Sequence, residues 1–149
     1  MSFGDDGVRR ERTGWRDQEI SLRHRTWGFN CPAVDLDFLM VEYNLGKPVG
    51  VVEYKHARAR VPDVRHATYR ALCDLADIAA LPFLIVFYYP PYWSFRVHPV
   101  NGVARQNFID GQMLTERQYV MALYRMRRLT LAKHLADKLN DELPPAEVA

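Results

Sequence analysis

Residues 35–56 read D-L-D-F-L-M-V-E-Y-N-L-G-K-P-V-G-V-V-E-Y-K-H, and their spacing decides the fold. Two apolar runs flank a short turn that contains Gly46 and Pro48. The first run opens on two alternating aspartates, Asp35 and Asp37; the second ends Glu53-Tyr54-Lys55. Side chains along a strand alternate between faces, so each of these charged pairs emerges on one side of its strand. Paired as a hairpin, the two runs bring three carboxylates and one ammonium to one sheet surface. Like charges crowded in this way need a cation or a retained proton.

Outward from the hairpin, Trp15, Ile20, Leu22 and Trp27 predict a helix over about Gly14–Trp27, ended by Gly28, Asn30 and Pro32. The strands are expected over about Val34–Tyr43 and Val49–Lys55. Arg58 to Pro62 is a basic connection. Asp63 is the expected N-cap of a helix reaching about Ala80, with Val64, Thr68, Leu72, Leu75 and Ala79 as its apolar stripe. After Pro82, Phe83–Tyr89 is a continuous apolar run, which suits a strand buried on both faces. Pro90-Pro91 turns the chain into a half-exposed strand, Trp93–His98, closed by Asn101-Gly102. Beyond a loop to Gly111, Thr115 and Gln118 have capping-box spacing. Tyr119, Leu123, Met126 and Leu129 then stripe a helix that continues to about Leu139. The order α-β-β-α-β-β-α describes an α/β domain: a small mixed β-sheet flanked by helices. The expected organisation is a flexible leader over 1–13, a single domain over 14–140 and a frayed tail over 141–149.

The 149 residues are 48% hydrophobic with scattered charge, the make-up of a globular chain. Net charge is only +2, but of the 20 basic residues 16 are arginine, the side chain best shaped for two-pronged phosphate contacts. Cys31 and Cys73 form neither a CxxC pair nor a disulfide framework. The N-terminus carries no signal-peptide pattern and no apolar run is long enough to span a bilayer. An intracellular location, cytoplasmic or nucleoid, without membrane contact, is the expectation. His24, His56 and His66 lack zinc-ligand spacing.

The acid-bearing strand and the E-x-K at the end of its neighbour, followed by a helix and an apolar strand, resemble the PD-(D/E)XK nuclease superfamily, the restriction-endonuclease-like fold of Holliday-junction resolvases and many phage nucleases. The resemblance covers about Glu19 to His98. An E-x-K alone is common; an aspartate 16 or 18 residues upstream in the right element order makes the pattern more specific. No Pro-Asp dipeptide is present, and Pro32-Ala33-Val34 precedes Asp35. Asp37 is favoured over Asp35 because Phe38-Leu39-Met40 follows it directly. The glutamine that some members carry four residues before a helical tyrosine is Arg65 here, with Tyr69 in place.

The resemblance implies a metal-dependent deoxyribonuclease, most simply a structure-selective endonuclease, with Mg²⁺ or Mn²⁺ as cofactor and DNA as partner. Asp37, Glu53 and Lys55 are the expected catalytic residues. Asp37, Glu53, Asp35 and a first-helix glutamate, Glu19, are the expected metal ligands. Hard oxygen ligands suit such an ion, with the Tyr54 carbonyl a further candidate. Lys55 would orient the attacking water and offset developing charge. Arg58, Arg60, Arg65, Tyr69 and His56 are the expected nucleic-acid contacts. Cutting two strands calls for a homodimer, for which the stripe of the last helix is the expected surface, or for recombination or replication partners. Each assignment has a structural rival: Glu53 with Lys55 as a plain strand-end pair, Glu19 as a solvated residue, Tyr69 as helix packing. The alternative function is a non-catalytic DNA-binding or assembly protein that keeps the nuclease fold.

Overall fold

The computed structural model describes residues 2–3, 9–10 and 18–145. Most of the expected leader, and the tail from residue 146, lie outside the described residues. The chain divides into two compact units, Met1–Asp35 and Leu36–Ala149. The first holds two short antiparallel strands, β1 (Ser2–Phe3) and β2 (Arg9–Arg10), and helix α1 (Gln18–Arg25).

The second unit is a five-stranded mixed sheet in the order β3 (Phe38–Glu42), β4 (Lys47–His56), β5 (Phe83–Tyr89), β6 (Ser94–Pro99) and β7 (Gln112–Leu114). β3 and β4 form the expected antiparallel hairpin, with Phe38 opposite Val52. The Glu42 carboxylate braces its turn by accepting from the Leu45 N–H at 2.6 Å, and Gly46 takes the left-handed conformation (φ 63°) that closes it. β4 and β5 are the parallel pair, Val51 beside Phe83 and Lys55 beside Phe87, joined through helix α2 (Ala67–Ile78). β5 occupies the centre, and Phe83 to Phe87 are all buried, as the continuous apolar run predicts.

Alternation along β4 separates two cores. Val52 packs with Leu84, Val86, Phe95, Val97 and Tyr119 on the side of helix α4 (Glu116–Met126). Val51 packs with Ile85, Phe87, Leu72 and Ala76 on the side of α2. Full burial of each such apolar side chain contributes about 1.5–3 kcal/mol, so the sheet is held from both faces. Gly50 leaves room for the end of α4: a Cβ there would run into the Met126 methyl group.

Four expectations change. α2 begins at Ala67, capped by His66, whereas Asp63 turns to the Arg65 side chain. The inward stripe is Tyr69, Leu72, Cys73 and Ala76, while Leu75 is exposed. Asn101 caps a short helix, α3 (Gly102–Arg105), instead of closing a turn. Its amide donates to Asp77 and to the Leu81 carbonyl and accepts from the Phe83 and Ala104 N–H groups, tying α2, β5 and α3 together. The last helix has the expected Thr115–Gln118 capping box but ends at Met126, because Arg128 takes a left-handed turn (φ 57°). A separate helix, α5 (Lys133–Ala136), follows. The α4 stripe also faces inward: Tyr119 is buried in the core and Leu123 packs against it, so this stripe is not a free dimerisation surface.

Candidate functional site

The carboxyl end of β4 lies beside that of β5, the side of a parallel pair on which open α/β sheets carry their ligand sites. Glu53 and Lys55 follow Val51 on the α2 face, their side chains 3.3 Å apart and 15% and 29% exposed respectively. Extending the hairpin register by one residue sets Asp37 opposite Glu53, and the two carboxyl groups are close enough to hydrogen-bond. Burial first, then the Asp37 charge, pushes Glu53 above the ordinary carboxylate range, against the opposing pull of Lys55. For Lys55 burial works downward, but hydrogen bonds to Tyr69 and Glu53 outweigh it and the ammonium is held more firmly than usual. Tyr69 lies on the inward face of α2, and its hydroxyl reaches this lysine.

Asp37, Glu53 and Lys55 thus come together, and Tyr69 joins them as a hydrogen-bond partner of the ammonium. Asp35 and Glu19 belong to the first unit; both are exposed, Glu19 on α1, and Asp35 lines a cleft there with His24, Phe29 and Cys31. Arg58 and Arg60 are exposed on the loop after β4. Arg65 directs its guanidinium to Asp63 at 3.0 and 3.1 Å, and this pulls the Asp63 carboxyl below its usual value. His56 is exposed at the strand end, where its Nδ1 accepts from the Arg58 N–H at 3.1 Å. No match was found among protein-family models, curated proteins or solved structures.

The cluster sets two acids, Asp37 and Glu53, against one base, Lys55. Among the described residues no group of three or more His, Cys, Asp and Glu side chains stands together as a ready cage. A cage of that kind suits zinc, whereas a magnesium-like ion keeps several waters and takes one or two carboxylates. The donor set here, all oxygen and two carboxylates strong, fits the second case. Also among the described residues, no helix is long and apolar enough to cross a membrane.

Two further groups of side chains surround the cluster. On the same sheet face, His98 Nδ1 and the Asp110 carboxylate are 3.0 Å apart, and Arg96 donates to Tyr89 and to the Gly111 carbonyl. At the same sheet end, Tyr88, Trp93 and His56 group their rings. Proline and aromatic residues packed into 88–93 were the available hint.

Proposed function

We propose that this chain is a divalent-metal-dependent nuclease acting on DNA, with Asp37 and Glu53 as metal ligands and Lys55 as the catalytic cation. The observation that carries the reading is the partly buried Glu53, paired with Lys55 at 3.3 Å and facing the exposed Asp37 across the hairpin. The strand order around it supports the same reading: an acid, Asp37, immediately before β3, an antiparallel neighbour with E-x-K at its end, then a helix and a parallel strand. Mg²⁺ or Mn²⁺ bound by the two carboxylates would supply an activated water and charge neutralisation at phosphorus.

The protein's own groups prepare that chemistry. Lys55 neutralises Glu53 while the site holds no ion, which limits the repulsion between the carboxylates. Once the carboxylates are engaged elsewhere, the ammonium can turn to the attacking water or to a phosphate oxygen. Tyr69 keeps it at the mouth of the cluster during that exchange. Arg58 and Arg60, on the loop that leaves β4, would hold the backbone of the strand.

The test is digestion of linear, single-stranded, nicked and four-way DNA by the purified chain with Mg²⁺ or Mn²⁺. Asp37→Asn and Lys55→Ala should each lower the cutting rate by about a hundredfold or more, in line with the loss of one charge-stabilising group. The proposal fails if both variants cut like the parent, or if the parent binds DNA but cuts none of these substrates with either metal. The latter result is what a non-catalytic DNA-binding or assembly protein would give.

A further inference from the structure

We propose that Trp93, Tyr88 and His56 form a stacking platform for an unpaired base of single-stranded DNA. The placement of that base next to the scissile phosphate rests on the nuclease reading; the stacking itself does not. The Trp93 and Tyr88 rings are within 15° of parallel with centroids 6.0 Å apart. His56 meets Tyr88 edge-on at 5.4 Å. Its own ring is fixed by the bond from the Arg58 N–H.

Trp93 is 46% exposed, a large apolar surface left in water. Its backbone is at φ 57°, a conformation rarely adopted by a bulky residue, and its N–H is held by the Tyr89 carbonyl at 2.8 Å. The hairpin that carries it is anchored from behind, where the Asn140 amide donates to the Tyr92 carbonyl at 2.6 Å. A left-handed backbone beneath an exposed indole is the kind of strain that accompanies ligand contacts.

Charge complementarity selects the occupant. The segment that leaves the platform, Tyr54 to Pro62, contains Lys55, His56, Arg58 and Arg60 and no acid. A rigid aromatic surface beside arginines is the combination that grips single strands, with bases stacking on rings and cations tracking phosphates. A paired duplex keeps its base faces inside the stack and cannot use such a surface. Lys55 and His56 are consecutive on β4 and so point to opposite faces. The acid cluster and the platform therefore flank one sheet end, and a strand passing over that end can reach both.

The test is fluorescence anisotropy with a labelled oligothymidylate of about ten nucleotides, within the usual reach of one small domain. EDTA is present, so the readout does not depend on cutting. Trp93→Asn removes the ring and keeps a residue that tolerates the left-handed backbone; it should bind about five- to a hundredfold more weakly, the range for loss of one stacked base. Trp93→Phe should stay within about threefold of the parent, because a stacking face remains. A blunt-ended duplex of two complementary strands should bind equally to parent and Trp93→Asn. The platform is refuted if Trp93→Asn binds the oligonucleotide like the parent, if the parent does not bind it, or if duplex affinity falls in parallel. Trp93-dependent binding by a protein that cuts nothing would leave the platform standing and remove the nuclease reading. Cutting with Trp93-independent binding would do the reverse.

Discussion

Replacing Lys55 by Met should make stability strongly dependent on pH in a direction fixed by the acid pair. The apolar stem remains while the cation that opposes Glu53 is lost. At 3.3 Å, with an effective dielectric constant of about 20, the Coulomb attraction in the pair is about 5 kcal/mol before desolvation is subtracted. Removing one partner of a fully buried pair costs about 3–5 kcal/mol, and of an exposed pair at most about 1 kcal/mol. With side chains 29% and 15% exposed, this pair lies between those limits, so about 1–3 kcal/mol is expected at pH 7. Both influences that lower the Glu53 pKa come from Lys55, so in the variant only upward pushes, burial and Asp37, remain. A carboxyl whose folded pKa lies above its unfolded value binds more protons in the folded state. Stability therefore falls as pH rises from the unfolded value through the folded one. The difference between parent and variant should be small near pH 4.5 and grow to a plateau on the alkaline side. The Lys55 amine titrates far above this window and does not contribute to it. Urea denaturation at several pH values in EDTA measures the difference directly. A loss of stability that is the same at pH 5 and pH 8 would refute the coupling of Glu53 to Lys55. Mn²⁺ should recover more stability in Lys55→Met than in the parent, since the ion takes over the missing charge.

Two further outcomes probe the frame that carries the site. Asn101→Ala deletes a buried amide that serves four partners and should cost about 3 kcal/mol or more, read as a lowered denaturation midpoint. Asn101→Asp should be no better, because it sets a second carboxylate against Asp77. The hydroxyls of Tyr54 and Tyr119 meet at 2.6 Å, so either single Phe replacement should cost about 1–2 kcal/mol by stranding the other hydroxyl. The double replacement should cost less than the sum of the two; strict additivity in the cycle would show that the hydroxyls are not coupled.

What the sequence made legible followed from periodicity and capping. The alternation Glu53, Lys55 placed both side chains on one face, and the antiparallel partner was recognisable from the turn at Gly46. Phe83–Tyr89 is found with the expected bounds because a central strand is apolar on both faces. The Thr115–Gln118 box marked the start of α4. Its end was not legible, since the left-handed residue that stops it is an arginine and not the glycine that usually announces such a stop. The start of α2 was misplaced by three residues, as the capping side chain is His66 and Asp63 is drawn to Arg65. The inward face was also centred wrongly: Tyr69, Leu72, Cys73 and Ala76 face the sheet, so Tyr69 reaches Lys55 while Leu75 stays exposed. Asp35 and Asp37, only two residues apart, fall in different compact units, which no alternation pattern could reveal.

The choice of lysine at position 55 has a physical reason in a chain where 16 of 20 basic residues are arginine. A guanidinium at this point would lie flat against the Glu53 carboxylate through two parallel bonds and stay there. The ammonium is a point charge with three donors that can be shared, and here it serves Glu53 and Tyr69 together. It can release the carboxylate without losing every partner, because the Tyr69 hydroxyl remains. That is what the proposed chemistry needs of it: to neutralise the acid pair in the absence of an ion, and to be free for water or phosphate once a divalent cation has taken over that task. A strand-end ion pair with a purely structural role gains from the tightest geometry; a looser lysine braced by a tyrosine is better suited to a partner that must be exchanged.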